Sequence, residues 1–201
     1  MASSGSRLLL LRHGIAEDRS DERPDGLRAL TPAGRRRTTA VLERAVALGL
    51  AVDRLVSSPL VRARQTAELA LGAGLAPSLE LATALEPGAD PLPLLARWLA
   101  STPTATASPP PGGGRPAGED LPPAVDSPGA RPLSLALVGH EPDLGDLAAR
   151  LLGAPSGSIA LRKAGLAVLV LPRSAQVRLE EQAAAGAWRL HLLLTPRVLL
   201  A

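Results

Sequence analysis

Four consecutive leucines, Leu8 to Leu11, run directly into Arg12-His13-Gly14, and this junction limits the possible folds of the chain more than any other segment. An apolar run of that length after a Ser/Gly-rich start suits a strand buried on both faces. It is far shorter than the ~20 apolar residues of a membrane helix, and Arg12 and His13 cut it off too early for a signal peptide. The polar tripeptide therefore stands at the carboxyl end of a strand. The same plan recurs twice: Leu55-Val56 leads into Ser57-Ser58-Pro59, and Leu133 to Val138 leads into Gly139-His140-Glu141-Pro142.

Helical patterns lie between these runs. Residues 15–30 are rich in Asp, Glu and Arg with Pro24 and Gly26, and read as a surface loop. Thr31 then suits a helix N-cap with Pro32 at the first helical position, and Val41, Leu42, Ala45, Val46 and Leu48 repeat at helical spacing until Gly49. Leu60 to Leu71 predicts a second helix ending at Gly72, with Arg62 in its first turn. Residues 79–85 are expected to form a strand, and Pro91 to Ala100 and Asp143 to Leu152 helices. Gly165 to Leu171 and Trp188 to Leu194 read as the last two strands, paired antiparallel. Strands alternating with helices and ending in a hairpin predict an α/β fold, a mixed and mostly parallel sheet with helices on both faces. From 101 to 132 the composition shifts to Pro, Gly, Ser, Thr and Ala, including Pro109-Pro110-Pro111-Gly112-Gly113-Gly114. Such a segment cannot bury enough apolar area to offset its ordering entropy, so a mobile insertion within a single domain spanning 1–201 is expected.

Composition narrows the function. The apolar residues are almost all Leu, Ala and Val, with two Trp and no Phe or Tyr, so the core must be aliphatic, and stacking on nucleic-acid bases is not expected. The net charge is only +3, Lys163 is the sole lysine, and the arginines are interspersed with carboxylates. That distribution fits a solvated surface with one anion site better than a nucleic-acid or membrane partner. The absence of Cys excludes disulfides, thiolate zinc sites and cysteine nucleophiles. With His13, His140 and His191 the only histidines, an imidazole metal site is not expected either. A cytoplasmic location follows as an expectation. His191 lies in an alternating strand and reads as structural or exposed.

In open α/β sheets, ligands bind beyond the carboxyl ends of the strands. Three such ends here carry Arg12-His13-Gly14, Ser57-Ser58-Pro59 through Arg62, and Gly139-His140. Two guanidiniums and two imidazoles at one rim would match a phosphoryl group, and Gly14 would allow close backbone approach. Taken singly, each has a plainer reading. His13 could be an ordinary loop histidine, Arg62 a salt-bridge partner and His140 a helix cap, as Glu141 and Asp143 beside it are read to be.

Taken together, these segments resemble the histidine phosphatase superfamily, also called phosphoglycerate-mutase-like. Leu11-Arg12-His13-Gly14 resembles its nucleophile motif, Ser57-Ser58-Pro59-Leu60-Val61-Arg62-Ala63-Arg64-Gln65-Thr66-Ala67 its arginine-bearing segment, and Val138-Gly139-His140-Glu141-Pro142 its second-histidine segment. The chain is most similar to the short SixA-type phosphohistidine phosphatases, through Arg28-Ala29-Leu30-Thr31-Pro32-Ala33-Gly34 and Leu193-Leu194-Thr195-Pro196-Arg197-Val198-Leu199. The resemblance implies a phosphoglycerate-mutase-like fold in which His13 attacks phosphorus while Arg12, Arg62 and His140 bind the phosphoryl oxygens, with no cofactor and no metal. It also implies a substrate that is a phosphohistidine-bearing signalling or phosphotransfer protein. A small phosphorylated substrate handled as a phosphomonoester, or a non-catalytic phosphoryl-binding module, are the alternatives. Larger members carry a glutamate acid after the third strand, for which no segment here is a convincing match. Glu86 is the nearest candidate in position, followed by Asp18 and Glu17 in the first loop, each of which also reads as a solvated carboxylate.

Overall fold

The computed structural model describes residues 5–100, 134–172 and 186–201. Its strands are β1 (Ser6–Arg12), β2 (Arg54–Ser57), β3 (Leu79–Leu81), β4 (Ser134–Gly139), β5 (Leu166–Leu171) and β6 (Arg189–Leu194). They form one six-stranded sheet in the order β3-β2-β4-β1-β5-β6. β1, β2, β3 and β4 are parallel, β5 runs antiparallel to β1, and β6 antiparallel to β5. This is the mixed, mostly parallel α/β sheet expected from the order of the apolar runs.

The leucine run explains the layering. Side chains alternate across a strand, so Leu8 and Leu10 join Leu135 and Leu137 in one core, while Leu9 and Leu11 join Ala136 and Val138 in the other. Helices α1 (Pro32–Ala47) and α2 (Val61–Gly72) cover the Leu9 face with Val41, Leu42, Ala63 and Ala67. Helices α3 (Leu92–Ala100) and α4 (Asp143–Leu152) cover the Leu10 face with Leu95, Trp98, Leu144 and Leu147. Each fully buried leucine stabilises the fold by about 1.5–3 kcal/mol, which is how a core without Phe or Tyr holds two layers of helix on one sheet. No helix among the described residues is long and apolar enough to cross a membrane.

Some element boundaries differ from expectation, and one short helix is added. The strand expected over 79–85 is shorter: β3 ends at Leu81, and Thr83–Leu85 winds into a 3-10 turn that buries Leu85. Helix α3 begins at Leu92, where the Asp90 carboxylate accepts the Leu92 N–H at 3.1 Å and leaves Pro91 outside. A last short helix, α5 (Pro196–Leu199), is capped by Thr195, whose Oγ1 accepts the Val198 N–H. The insertion expected at 101–132 lies outside the described residues.

The start of α1 is tied to the loop after β1. The Thr31 hydroxyl accepts the Gly34 N–H at 2.9 Å, and the Ile15 carbonyl accepts the Thr31 N–H at 3.0 Å. A Cβ on Gly34 would fall 2.0 Å from that carbonyl oxygen. Gly to Ala in a helix ordinarily stabilises by about 1 kcal/mol. Here the contact reverses the sign: Gly34→Ala is expected to destabilise by about 1–3 kcal/mol, read as a lower urea midpoint, and an unchanged or raised midpoint would contradict this packing.

Candidate active site

β1 ends at Arg12 opposite Gly139 of β4, and β2 ends at Ser57 opposite Val138. The next residue on each strand is therefore His13, His140 or Ser58, all at one edge of the sheet. Backbone bonds continue the ladders into these positions: the His13 N–H donates to Gly139 O at 3.1 Å, and the Ser58 N–H to Val138 O at 2.9 Å. Because β5 is antiparallel, its start lies at the same edge. Arg12 N–H donates to Gly165 O, while the Ala164 N–H reaches the carbonyls of both Arg12 and His13 at 3.1 Å. Ala164 adopts φ 58° to do so, a left-handed conformation uncommon outside glycine and often found at functional sites.

The two imidazoles face each other with ring centroids 5.2 Å apart and planes inclined by 54°. His13, Arg62 and His140 are each more than nine-tenths buried. His13 Nδ1 lies 2.7 Å from Gly14 O. A carbonyl can only accept, so Nδ1 carries the proton and Nε2 keeps its lone pair. His140 Nε2 lies 2.9 Å from Ser58 Oγ. Arg12 is held by Nη1–H donation to Leu161 O at 2.8 Å. The Glu141 carboxylate accepts the Leu161 N–H at 3.3 Å, tying that loop to the residue after His140. Arg12 Nε, Arg62 Nε and His140 Nδ1 are buried with no hydrogen-bond partner among the described residues. Buried polar groups are rarely left unpaired without a reason, a role in binding a ligand being one. Three such nitrogens in one cluster suit an oxyanion.

Burial lowers the His13 imidazole to about 3, against the Gly14 hydrogen bond, with His140, Arg62 and Arg12 adding to the drop. His140 is lowered to about 4, again first by burial and then by Arg62. Both rings are neutral at physiological pH, and the guanidiniums carry the charge. Such a site can hold a tetrahedral anion against an uncharged nitrogen nucleophile.

A residue not singled out from the sequence anchors Arg62. Asp25 accepts Arg62 Nη1–H through its carbonyl at 2.8 Å and Nη2–H through Oδ2 at 3.0 Å. Its Oδ1 also accepts from Arg28 and Arg19. Partial burial pushes the Asp25 carboxyl up, but Arg62, Arg28 and Arg19 outweigh it and hold it below the ordinary range. Thr66 was missed as an individual residue too: its hydroxyl accepts the Gly14 N–H at 3.0 Å and donates to Arg62 O at 2.8 Å.

Of the sequence-predicted residues, Arg12, His13, Gly14, Arg62 and His140 come together. The three candidate acids are not bonded to them. Glu17 pairs with Arg23 and accepts the Ala29 N–H at 3.3 Å. Asp18 is exposed, and Glu86 is half-buried on the turn after Thr83–Leu85, whose Gly88 N–H donates to Asp143 at 3.0 Å. His191 is exposed on β6.

The family model of the histidine phosphatase superfamily (branch 1) matches residues 8–85. An uncharacterized protein of Picosynechococcus sp. is 37% identical over 164 residues, spanning 79% of this chain and 81% of that protein. Among solved structures, a protein histidine phosphatase SixA complexed with tungstate superimposes with a TM-score of 0.66 at 20% identity, over 95% of this chain and 97% of that one. A mycobacterial glucosyl-3-phosphoglycerate phosphatase gives 0.62 at 20% identity, over 94% and 99%. These likenesses extend to the whole fold.

The low imidazole values set a stability trend. Unfolded histidines take up protons near pH 6.5, whereas His13 and His140 resist protonation until about 3 and about 4. Below about pH 6.5 the unfolded state binds more protons, so stability falls as pH falls. The denaturation midpoint is expected to drop between about pH 7 and about pH 5, and less steeply in a His13→Gln/His140→Gln double variant. Equal slopes would show that these rings protonate freely in the native state.

Proposed function

We propose that this chain, which belongs to the histidine phosphatase superfamily and is a phosphatase, works through a phosphohistidine intermediate on His13 and removes phosphate from phosphohistidine on a signalling or phosphotransfer protein. The observation that carries this reading is the cluster of buried unpartnered nitrogens, Arg12 Nε, Arg62 Nε and His140 Nδ1, beside a neutral His13 whose Nδ1 is committed to Gly14 O. In this reading His13 Nε2 attacks phosphorus while the bond from phosphorus to the leaving nitrogen breaks, its electron pair going to that nitrogen. Water then attacks phosphorus, the bond from Nε2 breaks, and orthophosphate leaves. Arg12, Arg62 and His140 hold the equatorial oxygens, and each such donor is worth about 10²–10³ in rate.

The choice of leaving group rests on proton supply. An alkoxide is a strong base and needs an acid to leave, whereas a phosphorylated imidazole that carries a proton on its other nitrogen leaves as the neutral ring, whose conjugate acid has a pKa of about 6.5. Asp25, the carboxylate bonded to Arg62, is held ionised by three arginines, which suits it to orienting Arg62 and not to delivering a proton. Glu86, Asp18 and Glu17 remain as weaker candidates for an acid.

His13→Ala is expected to lower turnover by at least about 10³-fold, and an alkaline quench of wild type during turnover should trap an acid-labile phosphoryl group on His13. A trapped group on another residue would reassign the nucleophile. Turnover of a phosphohistidine protein is expected to exceed that of sugar and nucleotide phosphates, and the reverse preference would support a small-molecule phosphomonoesterase. Absence of phosphate release from every substrate would favour a binding module. Asp25→Ala, which frees the Arg62 guanidinium, is expected to cut kcat/KM by about 10–100-fold; wild-type kinetics in that variant would rule out the orienting role.

A further inference from the structure

Ser58 has a specific and unspent hydrogen-bonding capacity. It is fully buried, its N–H donates to Val138 O at 2.9 Å, and its Oγ accepts the Leu60 N–H at 3.3 Å. Its other side-chain neighbour within hydrogen-bonding distance is His140 Nε2 at 2.9 Å. A hydroxyl has one hydrogen to give. If Nε2 carried the imidazole proton, Oγ would accept from both Leu60 and His140, and its own hydrogen would be buried without an acceptor among the described residues. If Nε2 is bare, Oγ accepts from Leu60 and donates to Nε2, and every role of the hydroxyl is filled. The ring proton then resides on Nδ1, the atom that is buried and unpartnered.

We propose that Ser58 is a positioning residue that donates its hydroxyl hydrogen to His140 Nε2 and so fixes His140 as the Nδ1–H tautomer, a neutral donor for a phosphoryl oxygen. This assignment rests on reading the cluster as a phosphoryl site. The two histidines are then locked alike at one nitrogen and used oppositely. Gly14 O holds the proton on His13 Nδ1 and leaves Nε2 as a nucleophile, whereas Ser58 holds Nε2 of His140 bare and leaves Nδ1–H as a donor. In the other tautomer of His140, a lone pair at Nδ1 would repel the anion. Ser57 cannot substitute, because its hydroxyl donates to the Ser58 carbonyl at 3.0 Å.

The tautomer can be read directly. A long-range proton–nitrogen correlation spectrum of the full 15N-labelled chain has three histidines to assign, and His191→Gln removes the exposed one. In wild type, His140 is expected to show a protonated Nδ1 and a bare Nε2. In Ser58→Ala its signals should move toward the Nε2–H form, with those of His13 unchanged, and kcat/KM should fall about 10-fold or more. Ser58→Thr, which keeps the hydroxyl, should retain the wild-type His140 signals. A protonated Nε2 in wild type, or an unchanged tautomer in Ser58→Ala, would overturn the proposal. If Ser58→Ala does not fold, the wild-type spectrum decides. The expected tautomer in a protein that releases phosphate from no substrate would defeat the functional reading and leave the role of Ser58 standing.

Discussion

The parallel register of β1 against β4 is the constraint on which the rest of the molecule depends. Arg12 lies opposite Gly139, so the residue that leaves each strand is a histidine, and both leave at the same level of the same edge. Side chains alternate with a period of two, so a one-residue slip would move every leucine of β1 to the opposite core and carry His13 away from His140. The register that buries Leu8 to Leu11 correctly is thus the one that brings the imidazoles within 5.2 Å. Fold and site are fixed by a single choice of pairing.

The electrostatics divide the work between residue types. Burial strips charge from His13 and His140, because an imidazolium in a desolvated cluster of guanidiniums is costly. Arginine keeps its charge under the same burial, so the positive potential is carried by Arg12 and Arg62. A buried guanidinium needs partners, and Asp25 supplies two of them to Arg62 without occupying Nε. One acid therefore stabilises the cation and leaves part of its donor set open to a ligand.

What could be read from the sequence follows from how local each signal is. The leucine run, the Thr31-Pro32 helix start and the glycine stops are interactions among near neighbours, and the elements they predict are present. The convergence of His13, His140 and Arg62 was legible because each sits beside a strand end, and parallel strands share an edge. Asp25 was not, because it is one of several acids in the loop over 15–30, and nothing local shows which of them folds back on a guanidinium 37 positions away. Ser58 and Thr66 were visible only as members of a motif; their roles lie in bonds to His140 and Gly14, across 82 and 52 positions. α5 carried a readable signal, Thr195-Pro196, the same pair that starts α1. The end of β3 did not, because an edge strand turns where Leu85 finds the core, a choice made by tertiary packing.

His13, the proposed nucleophile, is tied to the elements that carry the cations. The Gly14 N–H donates to the Thr66 hydroxyl, which donates to the Arg62 carbonyl one turn earlier on the same helix, so one hydrogen bond joins the loop bearing His13 to the helix bearing Arg62, through a side chain that the helix itself orients. A Cβ on Gly14 would stand 2.3 Å from Thr38 Oγ1, so the loop is pressed against α1 as closely as against α2. His13 is then steered by its neighbour's carbonyl, and Arg62 by the backbone and carboxylate of Asp25. Each group that would meet the phosphoryl is oriented before any ligand arrives. Preorganised donors need no rearrangement as charge develops on the transferring group, and this is the condition under which a few fixed dipoles outperform mobile water.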